Sequence, residues 1–199
     1  TQSRNIFFHL GPMQGLPAEA VTPELIRSAK VLFIDQFGIE AKIKAAILAG
    51  ELGVPVVADM EWADMAHSDE LMTHVGHLIM PQHFASDYCG EADPVRALMV
   101  LHAKHKRPCT AVTCGVKGCY YLCSDAEDVR HQPAFAVKAV ETTGCGDVFH
   151  GAYAASLAAG GDVPTCLRRA AAAAAIYASR PSGWHHLPVA SDVACFAGK

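Results

Sequence analysis

Short aliphatic runs alternate with segments of helical apolar spacing through the first hundred residues, and this alternation limits the folds open to the chain. Val31-Leu32-Phe33-Ile34 is a buried-type strand that ends in Asp35, and Ile39, Ile43 and Ile47 then recur at helical spacing up to Gly53. Val54 to Ala58 is a second such strand, ending in Asp59. His77 to Met80 is a third, closed by Pro81, and Asp93-Pro94 to His105 has the start and spacing of a helix. Strand–helix alternation of this kind implies a layered α/β fold around a largely parallel sheet, with ligands gathering at the carboxyl ends of the strands. Asp35, Asp59 and Thr113 all fall at such ends. Further strands are expected at Ile6–Leu10, Cys109–Thr113, Cys119–Cys123 and 134–140. Further helices are expected from Thr22-Pro23-Glu24, over 148–159 and over 164–178.

At 199 residues, 51% of them hydrophobic, residues 1–199 are expected to form one packed α/β domain. A net charge of −4 gives no bulk attraction to nucleic acid or to an anionic membrane, and no apolar run reaches a spanning length. The eight cysteines form no C-x-x-C pair, which argues against a zinc site and favours reduced thiols and a cytoplasmic location. There is no G-x-x-x-x-G-K-[ST] loop, no G-x-G-x-x-G after a strand and no G-x-S-x-G elbow.

The segment from Val140 to Gly151 carries the most chemistry. A turn bracketed by Gly144 and Gly146 opens a helix, so that successive backbone N–H groups, including that of Cys145, converge where the positive end of the helix adds to their field. Such a concavity binds anions, phosphate above all. Asp147 stands beside it. A carboxylate repels phosphate but accepts the proton of a hydroxyl about to attack phosphorus, so the pair suits phosphoryl transfer to an alcohol. An ordinary helix cap at Asp147 is the competing account. Likewise Thr113-Cys114-Gly115-Val116-Lys117-Gly118 is either a plain hairpin or a nucleotide loop in which Thr113 donates to phosphate and Gly115 permits close backbone approach. Asp59 and Glu61 end a strand and suit either loop solvation or a place near nucleotide phosphates and their Mg²⁺.

Thr143-Gly144-Cys145-Gly146-Asp147-Val148-Phe149 resembles the D-T-x-G-A-G-D-x-F signature of the ribokinase-like, or PfkB, carbohydrate kinases, with Glu141 in place of the first Asp and Cys145 in place of Ala. The 113–118 segment resembles the T-x-G-x-x-G loop of the same family, in the expected order. The resemblance covers nearly the whole chain but only the later two-thirds of the family. It implies a three-layer α/β/α sandwich with the amino-terminal sugar-binding segment and the lid missing. Asp147 becomes the catalytic base, and Gly144, Cys145 and Gly146 the anion hole. Thr113, Gly115, Gly118, Ala174 and Gly183 become nucleotide contacts, the last two through the Ala-rich helix and the 180–183 wall of the adenine pocket. Glu141 and Thr143 take the place of a monovalent-cation site.

Pro81-Gln82-His83-Phe84-Ala85 departs from the family's N-x-x-E. With the D-x-E end at Asp59, this resembles the ketohexokinase-like branch, with Mg²⁺ held mainly by ATP oxygens and water. The activity implied is ATP-dependent phosphorylation of a sugar hydroxyl, with Mg²⁺, and with a homodimer formed through the absent lid. A nucleoside kinase and a catalytically silent nucleotide-binding domain are the alternatives.

Overall fold

The computed structural model describes residues 15–63, 66–181 and 183–198. The strand expected at Ile6–Leu10 lies outside them. Six strands form one sheet in the order β1 to β6: β1 (Leu32–Ile34), β2 (Val56–Asp59), β3 (His77–Pro81), β4 (Cys109–Thr113), β5 (Cys119–Leu122) and β6 (Arg130–Gln132). β1 through β4 are parallel, and β4, β5 and β6 are antiparallel. The largely parallel sheet expected from the alternation is therefore present.

Helices cover both faces. The parallel strands alternate their side chains between two cores, as the period of two requires. Val56, Ala58, Leu78, Met80 and Val112 pack on one side with α2 (Ile39–Glu51), α3 (Ser68–Thr73), α4 (Gln82–Cys89) and α5 (Pro94–Lys104). Val57, Ile79, Cys109 and Ala111 pack on the other with α6 (Cys145–Ala158) and α7 (Val163–Ala178). The alanines at 170–173 are buried, and their small side chains let α7 approach α6 closely. α8 (Ala190–Ala197) covers the outer side of α7 through Val193 and Ala197.

Three helices start with side-chain caps. Thr22 Oγ1 accepts the Leu25 amide at the start of α1 (Pro23–Arg27), Asp93 Oδ1 accepts those of Val95 and Arg96, and Asp162 accepts that of Thr165. Each of these helices has Pro in its first turn.

One expected strand is absent. Residues 134–140 form no ladder; the paired strand is the shorter, more polar β6. Pro133 has no N–H with which to continue the pairing, and the chain leaves the sheet there. Phe135 packs instead against Phe196, with ring centroids 5.3 Å apart, and the amides of Val140 and Glu141 donate to the Ala178 carbonyl at 2.7 and 3.3 Å.

Candidate active site

The carboxyl ends of β2, β3 and β4 lie side by side, with Asp59 paired in register with Ile79, and Pro81 with Thr113. α6 reaches this edge through His150, whose Nδ1 lies 3.3 Å from Asp59 Oδ2 and whose Nε2 lies 3.1 Å from the Ile79 carbonyl. Gly144, not Asp147, is the N-cap of α6; it adopts φ +80°, ψ 0° and supplies no side-chain cap. Asp147 is consequently in the first turn, exposed, with α6 beginning at Cys145 rather than at the expected 148. The Cys145 amide donates to the Thr142 carbonyl at 3.2 Å. The amides of Gly146 and Asp147 belong to the first turn, which has no preceding helical carbonyl to receive them. A Cβ built on Gly146 meets no other atom within 4 Å, so the protein's own packing does not require glycine there.

Glu141 shapes the loop from the other side. Its Oε1 accepts from the amides of Thr142 and Thr143 and from the Thr143 hydroxyl, each at 2.8 Å. The carboxylate is thereby turned into its own turn. The Cys145 thiol lies 3.9 Å from the Ala174 carbonyl, which links the loop to α7. Tyr177, one turn further along α7, carries the hydroxyl that accepts the Gly183 amide at 3.1 Å. Cys145, Ala174, Tyr177 and Gly183 thus form one continuous wall, whereas Ala170 is fully buried and presents nothing to a ligand.

Thr113 is half-buried at the end of β4, and its hydroxyl faces the Met80 carbonyl at 3.5 Å. Gly115 to Lys117 form a tight turn, with Cys114 and Gly118 closing it by a 2.7 Å hydrogen bond. Gly118 has φ +87°, and a Cβ on it would lie 2.2 Å from the Gln132 carbonyl oxygen. Its glycine is demanded by backbone packing against 132–134, whatever else the loop holds.

Asp59 is not a free carboxylate. Burial pushes its carboxyl above the ordinary range; the His150 ring opposes this, the charges of Glu61 and Asp147 add to it, and His83 opposes it weakly. His150 Nδ1 lies 3.3 Å from Asp59 Oδ2. Glu61 is exposed, and its backbone amide is held at 2.6 Å by the buried Gln36 Oε1, which also accepts the Trp62 amide at 2.8 Å. Among the described residues no three His, Cys, Asp or Glu side chains gather as a metal site. Two carboxylates at one strand end, one of them engaged with His150, are fewer donors than a Mg²⁺ site built from protein alone would need. Asp35, the other strand-end carboxylate, pairs with Lys42 and accepts the Phe37 amide at 2.8 Å, a structural task. A cleft of about 770 Å³ opens beside Glu61, Trp62, His83, Tyr88 and Lys104; none of its lining comes from the 113–118 or 144–147 loops. Gln36 and His150 were not singled out from sequence, because their partners are remote in the chain.

A largely parallel sheet covered by helices on both faces, with a glycine-capped helix start near its carboxyl edge, defines a layered α/β class of protein. The profile of the pfkB family carbohydrate kinases matches residues 14–189, and the chain belongs to that family. It is 28% identical over 162 residues to ribokinase of Schizosaccharomyces pombe, a match that takes in 78% of this chain and 50% of the relative. A crystal structure from Agrobacterium tumefaciens, of a protein assigned as a ribokinase, superposes with a TM-score of 0.85 at 27% identity over 90% of this chain and 58% of that one. Arabidopsis thaliana ribokinase complexed with ribose and ATP superposes with a TM-score of 0.76 at 24% identity, over 88% and 58% of the two chains. The chain spans about half the length of the S. pombe relative. No helix among the described residues is long and apolar enough to cross a membrane.

Proposed function

We propose that this chain is the nucleotide-binding and catalytic part of an ATP-dependent sugar kinase. The observation that carries the proposal is the start of α6, where Gly144 leaves the first-turn amides without a side-chain cap and Asp147 stands in that same turn. ATP lies between the 113–118 turn and the wall built from Ala174 and Gly183, with its γ-phosphate toward the Gly144–Gly146 loop. Asp147 takes the proton of the acceptor hydroxyl. The acceptor oxygen then bonds to the γ-phosphorus as the bond to the β–γ bridging oxygen breaks, and ADP leaves with the electron pair. The transition state is loose, so the chain's work is positioning and charge neutralisation. Mg²⁺, bound mainly by nucleotide oxygens, offsets phosphate charge.

The D-x-E end at Asp59 and Glu61, without N-x-x-E after β3, supports a ketohexokinase-like affiliation within the family. A monovalent cation at Glu141 and Thr143 belongs to the same proposal, beside a carboxylate whose Oε1 already accepts three hydrogen bonds, with the response of turnover to K⁺ as its check. The eight cysteines form no disulfide, which suits the reducing cytoplasm. A homodimer through lid strands belongs to the same proposal, with sizing of the whole protein as its check.

The test is Asp147→Asn in the whole protein. The amide is nearly isosteric but cannot take the proton, so kcat should fall about 10²- to 10⁴-fold while the thermal melt and nucleotide affinity hold. Near-normal turnover of a panel of sugars would remove Asp147 as the base.

A further inference from the structure

His150 is buried, 3% exposed, one turn into α6. Its ring is nonetheless surrounded by acceptors from three elements. Nδ1 lies 2.9 Å from the Gly146 carbonyl and 3.3 Å from Asp59 Oδ2, and Nε2 lies 3.1 Å from the Ile79 carbonyl. Phe33 and Phe149 complete its surroundings, with ring centroids 5.9 and 6.1 Å away.

The Gly146 contact has a consequence on the far side of the same peptide group. The peptide between Gly146 and Asp147 is planar and trans, so its C=O and N–H point in opposite directions. Whatever holds the carbonyl aims the Asp147 amide. Gly146 lies inside α6, so helical geometry already directs its carbonyl along the axis toward the fourth residue on, and the His150 ring meets that same oxygen. The His150 ring adds a second contact to this carbonyl, ties the start of α6 to β2 through Asp59 and to β3 through Ile79, and polarises the peptide so that its N–H becomes a stronger donor.

We propose that His150 is a positioning residue that aims the Asp147 amide, and with it the start of α6, at the transferred phosphoryl group. The proposal rests on the sugar-kinase reading above. It assigns the ring no contact with substrate.

Three substitutions in the whole protein test it. His150→Asn places its carboxamide nitrogen near the position of Nδ1 and keeps the bond to Gly146. His150→Gln reaches toward Ile79 as Nε2 does but loses the Gly146 bond. His150→Leu loses both. A misaimed donor should cost somewhat less than a deleted one, which costs about 10²–10³ in kcat. Leu and Gln should therefore lower kcat about 10- to 100-fold with KM for ATP little changed, and Asn should restore most of it. A burial or packing role predicts lowered melting temperatures with unchanged kcat per folded molecule in all three variants. That outcome, or rescue by Gln and not by Asn, overturns the proposal. If the Leu variant does not fold, the Asn–Gln comparison decides. Full activity in the His150 variants together with an inactive Asp147→Asn sinks only this inference, whereas an active Asp147→Asn sinks the reading beneath it.

Discussion

The Tyr177 hydroxyl accepts the Gly183 amide at 3.1 Å, and the same oxygen would stand 3.3 Å from a Cβ placed on Gly144. One phenol thereby braces both the 183 wall and the N-cap of α6. Gly144 also sits at φ +80°, where a side chain is strained. Gly144→Ala should cost about 1–3 kcal/mol in urea unfolding. It should also lower nucleotide affinity, because relief of the clash moves the phenol away from Gly183. Unchanged stability would mean that the loop is not held as described.

Gly118 makes a harsher demand. Its φ of +87° is combined with a contact in which a Cβ would meet the Gln132 oxygen at 2.2 Å and the Ala134 nitrogen at 2.8 Å, both of them backbone atoms that cannot swing aside. Gly118→Ala should destabilise by at least about 3 kcal/mol, chiefly by parting β5 from β6. Gly115, whose Cβ would meet nothing within 4 Å, gives the control for added bulk in the same turn. Equal melting of the Gly118→Ala and Gly115→Ala proteins would contradict this account.

The parallel core was legible because β2 and β3 are buried on both faces and read as unbroken apolar runs. β6 was not, since Arg130-His131-Gln132 is an edge strand with little burial to mark it. The apolar stretch 134–140 misled for the converse reason: Phe135 serves α7 and α8 from outside the sheet. α6 begins three residues earlier than expected because a left-handed glycine, rather than the carboxylate, ends the turn. The site's signature residues were visible as a contiguous motif. The buried histidine behind them was not, because its Ile79 partner lies 71 residues upstream.

His77 links the sheet to α6 through a 2.8 Å hydrogen bond between Nδ1 and the Tyr153 hydroxyl. Burial pushes the ring down to about 4 from an ordinary value near 6.5. The unfolded chain therefore binds a proton that the folded one refuses between these values, and stability rises with pH across the window and is lost as pH falls from 6.5 toward 4. The upper bound of this contribution is about 3 kcal/mol. His102, also lowered chiefly by burial, acts in the same direction. Urea unfolding at a series of pH values should show a shallower acid slope in His77→Gln than in the parent. Superimposable slopes would show that the ring is charged in the folded protein.

Gly146 separates stability from function more sharply than any other position in the loop. It lies within α6, outside the left-handed region, and an added Cβ would meet no protein atom within 4 Å. Ala is the better helix former, so Gly146→Ala should leave the melt unchanged or stabilise the fold by about 0.5–1 kcal/mol. If a phosphoryl group packs against the bare face of Gly146, the new methyl takes up part of the room it needs, and turnover should fall by about 10-fold or more, the equivalent of roughly 1.4 kcal/mol. A thermal melt beside steady-state kinetics of the whole protein decides between the two uses of this glycine. A variant that is both as stable and as active as the parent would show that nothing approaches these amides, and the anion hole would have to be sought elsewhere along the carboxyl edge.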